Sequence, residues 1–244
     1  MEMFERWNTH LSTSVNVELF GSEVRMSQNP SSLNLGTTVW DASIVLAKFL
    51  EKNARKGEFS RATVKGKRAC ELGAGPGLGG MAFALLGAEV LLTDLPDIVP
   101  LIRKNVDANF TSAALHSREG PWGQQAGKVS VQELDWGNEA HIAQAGGPFA
   151  FVLAADCVYH EEHLFALRQT IVSLTDMKST VIIANELRSE SVQSKFMQLF
   201  EEKFTIKKVP HSKLDPEHRH SSILLYILKR RKQLPAADLD PGVG

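Results

Sequence analysis

Little in this chain would tie it to a charged polymer or a membrane. Its 244 residues carry 27 Lys and Arg against 28 Asp and Glu, a formal charge of −1. No field of one sign is therefore available to draw in nucleic acid or an anionic bilayer. Cysteine is scarce, with only Cys70 and Cys157. They form no C-x-x-C pair, which leaves neither a disulfide framework nor a zinc cluster. No apolar run is long enough to span a bilayer. Met1 to His10 is charged and lacks the apolar core of a secretory leader, so an intracellular protein, cytoplasmic or nuclear, is expected. What is present is apolar material: 43% of residues are hydrophobic, enough for one packed domain with modest additions.

The pattern centres on Glu71-Leu72-Gly73-Ala74-Gly75-Pro76-Gly77. Lys67 to Cys70 ends a buried strand, and Leu78 to Leu86 reads as a helix of small residues. Glycines at alternate positions permit positive φ and let a ligand approach the backbone. Glu89 to Asp94 reads as a second strand with a carboxylate at its carboxyl end, where open α/β sheets bind ligands. Asp94 there can accept both hydroxyls of a ribose. A nucleoside cofactor held between the glycine turn and Asp94 is the first expectation.

Before this centre, Val17 to Phe20 and Glu23 to Met26 suggest a hairpin turning at Gly21-Ser22. Thr38 with Asp41 fits a capping box that opens a helix carrying Trp40, Ile44, Val45 and Phe49 on one face. After it, Pro96 opens a helix, Thr111 to Gly127 reads as an exposed insertion, and Lys128 to Leu134 alternates as a strand. Phe149 to Ala155 is a continuous apolar run, as in a strand covered on both faces. Glu161 to Leu174 is helical, Thr180 to Ala184 a strand, Glu190 to Phe204 helical, and Phe204 to Val209 and Ser222 to Leu228 a closing strand pair. This alternation predicts an α/β, doubly wound, mostly parallel sheet with helices on both faces and an antiparallel edge strand.

Two cofactor classes fit the turn. Gly75, Gly77 and Gly80 match the dinucleotide pattern G-x-G-x-x-G. Glu71 through Gly77 matches the acid-x-G-x-G-x-G of S-adenosylmethionine methyltransferases, and a carboxylate beside the turn repels pyrophosphate but suits an amino group and a sulfonium. That argument favours the methyltransferase and leaves an NAD-dependent oxidoreductase as the alternative. His160-Glu161-Glu162-His163 is not H-E-x-x-H, because its second histidine comes one residue early; it reads as a solvated helix start, and no metal site is expected.

Val39 to Glu51, the glycine motif, Asp135-Trp136-Gly137 and Ala155-Asp156-Cys157-Val158-Tyr159 occur together in an order that resembles the methyltransferase-like 21 family of protein-lysine methyltransferases. The resemblance covers roughly Gly36 to Lys232. It implies a class I, seven-stranded methyltransferase domain over residues 37–232, preceded by a hairpin and loop extension at 1–36 and followed by a flexible tail at 233–244. It implies S-adenosylmethionine as cofactor, contacted by Trp40, Glu71, Gly73, Ala74, Gly75 and Gly77, with Asp94 on the ribose, Trp136 against the adenine and Ala155 lining the site. Asp156 and Tyr159 would border the acceptor channel as the catalytic pair, with Asp156 binding and orienting the incoming ammonium. Glu186 and Arg188 would sit near the substrate mouth, or form a plain strand-end salt bridge. The implied partner is a protein, a chaperone or an AAA ATPase, met by a monomeric enzyme. A small-molecule or nucleic-acid acceptor and a non-catalytic cofactor-binding protein remain open. Pro76 departs from the threonine usual in relatives, and the insertion at Thr111 to Gly127 is expected to alter the substrate rim.

Overall fold

A computed structural model describes residues 9–118 and 121–232. The tail expected at 233–244 lies outside the described residues, as does the start of the 1–36 extension. The chain opens with strands β1 (Ser14–Leu19) and β2 (Ser22–Ser27), which pair as an isolated antiparallel hairpin. Its turn is Phe20-Gly21 rather than Gly21-Ser22, because Leu19 pairs with Ser22. Both turn residues have positive φ, 56° and 73°, as a two-residue hairpin turn requires. Phenylalanine accepts that conformation while its buried ring lies 4.7 Å from Trp122.

Helix α1 (Asp41–Lys52) starts later than expected. Thr38 is extended and Trp40 is the N-cap, with no side-chain capping bond, so the capping box does not form. The short helix α2 (Arg61–Val64) leads to β3 (Arg68–Leu72), α3 (Leu78–Leu85) and β4 (Glu89–Asp94). Helix α4 (Val99–Phe110) has Pro100 in its first turn, and Pro96 belongs to the turn before it. Its buried face carries Asn105 and Asn109 beside Val99 and Ile102. The Asn109 side chain exchanges hydrogen bonds with the Arg25 backbone, and Asn105 does so with Ser27 while donating to Pro76 O at 3.0 Å. Two amides thus pair with the free edge of β2 and fasten the hairpin to the glycine turn.

The insertion folds into α5 (Ser112–His116) and α6 (Pro121–Gln124) before β5 (Val129–Glu133). Gly127 N donates to Ala84 O, and Val90 N to Lys128 O, so the segment joins the sheet at the amino ends of β4 and β5. That end is opposite the strand termini that carry Asp94 and Asp156, which removes the insertion from the substrate rim. Then follow α7 (Glu139–Ala145), β6 (Phe151–Ala155), α8 (Glu161–Leu174), β7 (Thr180–Glu186), α9 (Glu190–Glu201), β8 (Phe204–Lys208) and β9 (Ile223–Arg230). Helix α7, capped by Asn138, has too few apolar residues to declare itself in sequence.

The seven-stranded sheet runs β5-β4-β3-β6-β7-β9-β8. The strands β5, β4, β3, β6 and β7 are parallel, and β9 is antiparallel to both of its neighbours. The reversed strand therefore lies one in from the edge, with β8 outside it. Alternate side chains feed two cores: Ala69, Phe151, Leu153 and Ile182 face α1 and α3, while Cys70, Leu72, Val152 and Val181 face α8 and α9. Among the described residues no helix is long and apolar enough to cross a membrane.

Candidate active site

The order reversal beside β3 places a crevice at the carboxyl ends of β4, β3 and β6, where open α/β sheets hold ligands. A cavity of about 440 Å³ occupies it. Gly73 and Gly75 turn the chain with φ of 56° and 54°. A Cβ on Gly73 would stand 2.9 Å from the Trp136 ring and 2.8 Å from Cys157 Sγ, so only glycine lets that indole close over the turn. Gly75 N donates to Asp94 Oδ2 at 2.7 Å, and Leu95 N donates to Asp94 Oδ1 at 2.8 Å. Burial raises the Asp94 pKa, against the pull of those two N–H groups. Each oxygen keeps a lone pair beyond these bonds, and Asp94 lines the cavity.

Glu71 does not line it. Its carboxyl group turns beneath α3 and accepts from Gly80 N at 2.7 Å. Because Gly77 offers no side chain as N-cap, a residue of β3 serves an orphan N–H of the first turn. Burial pushes the Glu71 pKa up to about 8, the Gly80 bond lowers it and the Asp94 charge raises it. At neutral pH the group is mainly uncharged, so it neither repels pyrophosphate nor attracts a sulfonium. Glu71 thus supports the start of α3 from below the turn rather than lining the cavity, where it was expected. Gly77, at φ 96° with Leu92 and Met81 behind it, shapes the turn without reaching the cavity.

Another wall of the cavity is built by the β6–α8 loop. Asp156 stands in left-handed backbone at φ 60° and donates its N–H to Ala184 O at 2.8 Å. Arg188 donates to both of its carboxylate oxygens, at 2.9 and 2.5 Å, and Glu186 N donates to Oδ1 at 3.3 Å. Arg188 also meets Glu186 Oε2 at 2.8 Å and lies 5.3 Å from the Trp40 ring. The strand-end salt bridge thus exists, with Arg188 between Glu186 and Asp156, so the Asp156 carboxylate is already paired. Tyr159 is half-buried, and burial raises its pKa. His160 and His163 pack around it at ring distances of 5.1 and 5.6 Å.

Ten of the expected residues share this cavity: Trp40, Gly73, Ala74, Gly75, Asp94, Trp136, Ala155, Asp156, Tyr159 and Arg188. Glu71, Gly77 and Glu186 stand outside its wall. Sequence reasoning missed Leu35, Leu95, Asp135 and Cys157 as lining residues; His160 and His163 stand at the solvated start of α8, as expected, and also line the cavity. Leu95 directly follows β4 and Asp135 comes two residues after β5, so the strand-end rule alone would have flagged them.

A family model described as lysine methyltransferase matches residues 20–203. The chain belongs to the lysine methyltransferase family. Its relatives include the protein N-lysine methyltransferase METTL21A of Danio rerio, 32% identical over 86% of this chain and 88% of that one. The Mus musculus protein of the same name is 33% identical over 86% and 84%. EEF1A lysine methyltransferase 3 of Xenopus tropicalis is 34% identical over 73% and 70%. Among solved structures, the Thermus thermophilus 16S rRNA methyltransferase RsmC, in complex with AdoMet and guanosine, aligns with TM-score 0.60 at 17% identity. That alignment covers 89% of this chain and half of RsmC. At this identity the likeness concerns the fold, the class I methyltransferase fold.

This lysine methyltransferase is an enzyme that acts on protein, with S-adenosylmethionine as its cofactor. The cavity fits that molecule on its own terms. Its volume lies within the range of small-molecule sites, Asp94 offers spare acceptor positions for two hydroxyls, and Trp136 provides an aromatic face over the narrow floor at Gly73.

Proposed function

We propose that this enzyme methylates a lysine of a folded protein partner, a chaperone or an ATPase of the AAA class, through a channel bordered by Asp156 and Tyr159. An elongation factor, which the name of one relative indicates as that relative's substrate, is a further acceptor to test. A monomer in cytoplasm or nucleus suits this activity, with residues 37–232 forming the catalytic domain and the 1–36 hairpin region an extension of it. The observation that carries the reading is that Asp94 and Asp156 open into one cavity together with Trp40 and Trp136.

In this reading Trp40, Ala155 and the Gly73-Ala74-Gly75 backbone hold the cofactor, Asp94 holds its ribose, and Trp136 lies on its adenine. The bound cofactor supplies an electrophilic methyl on a cationic sulfur. This chain's residues must then deliver a neutral amine in line with it. An ordinary lysine, with a pKa of about 10.4, is neutral only about once in 2,500 molecules at pH 7. A desolvated channel and a neighbouring cation both disfavour the ammonium. The half-buried ring of Tyr159 and the rings of Trp40 and His163 supply such a channel, and Asp156 and the Tyr159 hydroxyl orient the nitrogen.

Incubation of a cell lysate with the enzyme and tritiated S-adenosylmethionine tests this. A labelled protein band that mass spectrometry resolves to methyllysine supports it. Label confined to small molecules or nucleic acid overturns it. Thermal scanning with S-adenosylhomocysteine and with NAD completes the test, since only a ligand bound by the native fold raises the melting temperature.

A further inference from the structure

A bare carboxylate beside the acceptor works against the reaction. It binds the ammonium well and so stabilises the protonated lysine, the state that cannot attack. The geometry around Asp156 resolves this conflict. Resting on the proposed reaction, we infer that Arg188 is a positioning residue: it pairs both oxygens of Asp156, so that the charge left over in the Asp156–Arg188–Glu186 cluster lies with Glu186, outside the cavity wall, and the acceptor lysine meets at Asp156 a hydrogen-bond acceptor whose charge is compensated and attacks as a free amine.

Both oxygens of Asp156 are taken by one guanidinium, at 2.9 and 2.5 Å. This is the two-pronged match that arginine makes and lysine cannot. The Asp156 side chain is only 3% exposed. Its left-handed backbone, its N–H bond to Ala184 and the Glu186 N–H on Oδ1 fix its aim. The guanidinium is held in turn, by Glu186 at 2.8 Å and by the Trp40 ring. Burial disfavours its charge, but the bonds and charges of Asp156 and Glu186 outweigh that and raise its pKa, so it stays cationic throughout any practical assay.

The other ionisable groups facing the cavity are Asp94 after β4, Asp135 after β5, Cys157 and Tyr159 in the β6–α8 loop, and His160 and His163 at the start of α8. Glu186 stands behind the guanidinium, outside the cavity wall. A change at position 188 also removes the guanidinium from Glu186, so Asp156→Asn, which leaves the Glu186 contact in place, is the comparison that separates the two carboxylates. The proton balance is simple. The ammonium gives one proton to solvent, the freed lone pair takes the methyl as the carbon–sulfur bond breaks, and the product leaves as a secondary ammonium.

The test measures kcat and KM from pH 7 to 10 for wild type, Arg188→Gln, Arg188→Lys and Asp156→Asn. The acceptor is the lysate protein that wild type labels, purified and saturating. Binding of S-adenosylhomocysteine by calorimetry confirms that each variant is folded and loaded. In Arg188→Gln the midpoint of the kcat rise moves up by about one to two pH units, the order expected for an uncompensated charge nearby, while KM stays level or falls. Arg188→Lys restores the midpoint toward wild type. Asp156→Asn leaves the guanidinium paired with Glu186 alone, removes the carboxylate charge from the cavity and moves the midpoint down with a raised KM. The last two carry the test alone if Arg188→Gln does not fold. A kcat lowered by one factor at every pH, or a KM rise in Arg188→Gln with an unmoved midpoint, overturns the inference. Failure of wild type to label any protein instead removes the reaction beneath it.

Discussion

Replacing Glu71 with glutamine should stabilise the protein, and more so as pH rises. The side chain is fully buried beneath α3, with one oxygen accepting from Gly80 N. Its pKa rises from 4.5 to about 8 on folding, chiefly through burial. A carboxyl group whose folded pKa lies above its unfolded value retains a proton that the unfolded chain has released. Its contribution is whole below pH 4.5 and is lost as pH climbs through about 8. The slope in that window is about 1.4 kcal/mol per pH unit. At pH 7 the deficit relative to an uncharged group of the same shape is therefore about 3 kcal/mol. Glutamine keeps a carbonyl for the Gly80 N–H and has nothing to ionise. For a domain of this size such a difference corresponds to a gain of roughly 6–12 °C in melting temperature. Urea unfolding of both proteins at half-unit steps from pH 5 to 9 gives the difference directly, and the Asp94 contribution largely cancels between them. The stability of wild type minus that of Glu71→Gln should fall steadily to pH 8 and then level. A difference independent of pH would refute the reasoning and show that folding leaves the Glu71 carboxyl with an ordinary pKa.

Two further perturbations probe the frame of the site. Gly73→Ala forces a left-handed alanine, at a cost of about 1–2 kcal/mol, and drives its Cβ into Trp136 and Cys157; thermal melts should show the loss, and calorimetry should show S-adenosylhomocysteine binding weakened at least tenfold. Asn105→Ala strands the Ser27 backbone and the Pro76 carbonyl, which should lower stability by about 2–3 kcal/mol in urea and speed hydrogen exchange in β2, whereas an unchanged β2 would show that Asn105 does not hold the hairpin.

What could be read in the sequence was whatever repeats locally. Helix α8 runs over the expected Glu161–Leu174 because its apolar spacing is regular. The glycine turn and the acid closing β4 declared themselves by residue type and order. What escaped depends on distance in sequence. Arg188 lies 32 residues beyond Asp156, and no pattern in either segment announces that one guanidinium takes both oxygens. Glu71 sits at the motif position expected of a cofactor ligand, yet the approach of α3 on the opposite face decides where its carboxyl group points. Buried Asn105 and Asn109 break the apolar stripe of α4, which makes them look solvent-facing until the edge of β2 is beside them. The hairpin turn moved by one residue because the burial of Phe20 against Trp122, ring to tilted ring, compensates a backbone conformation that sequence rules assign to glycine.

In the proposed reaction one cavity holds the cofactor at its Asp94 end and receives the lysine at its Asp156 end. Measuring S-adenosylhomocysteine affinity and methyl transfer side by side, for Asp94→Ala and Asp156→Ala, tests it most directly. Asp94→Ala should weaken cofactor binding by about 1–3 kcal/mol, the cost of stranding buried donors, and lose transfer with it. Asp156→Ala should bind the cofactor within a few-fold of wild type and transfer no measurable methyl. Equal loss of binding in both variants, or transfer that survives Asp156→Ala, would contradict the division of the cavity between the two carboxylates.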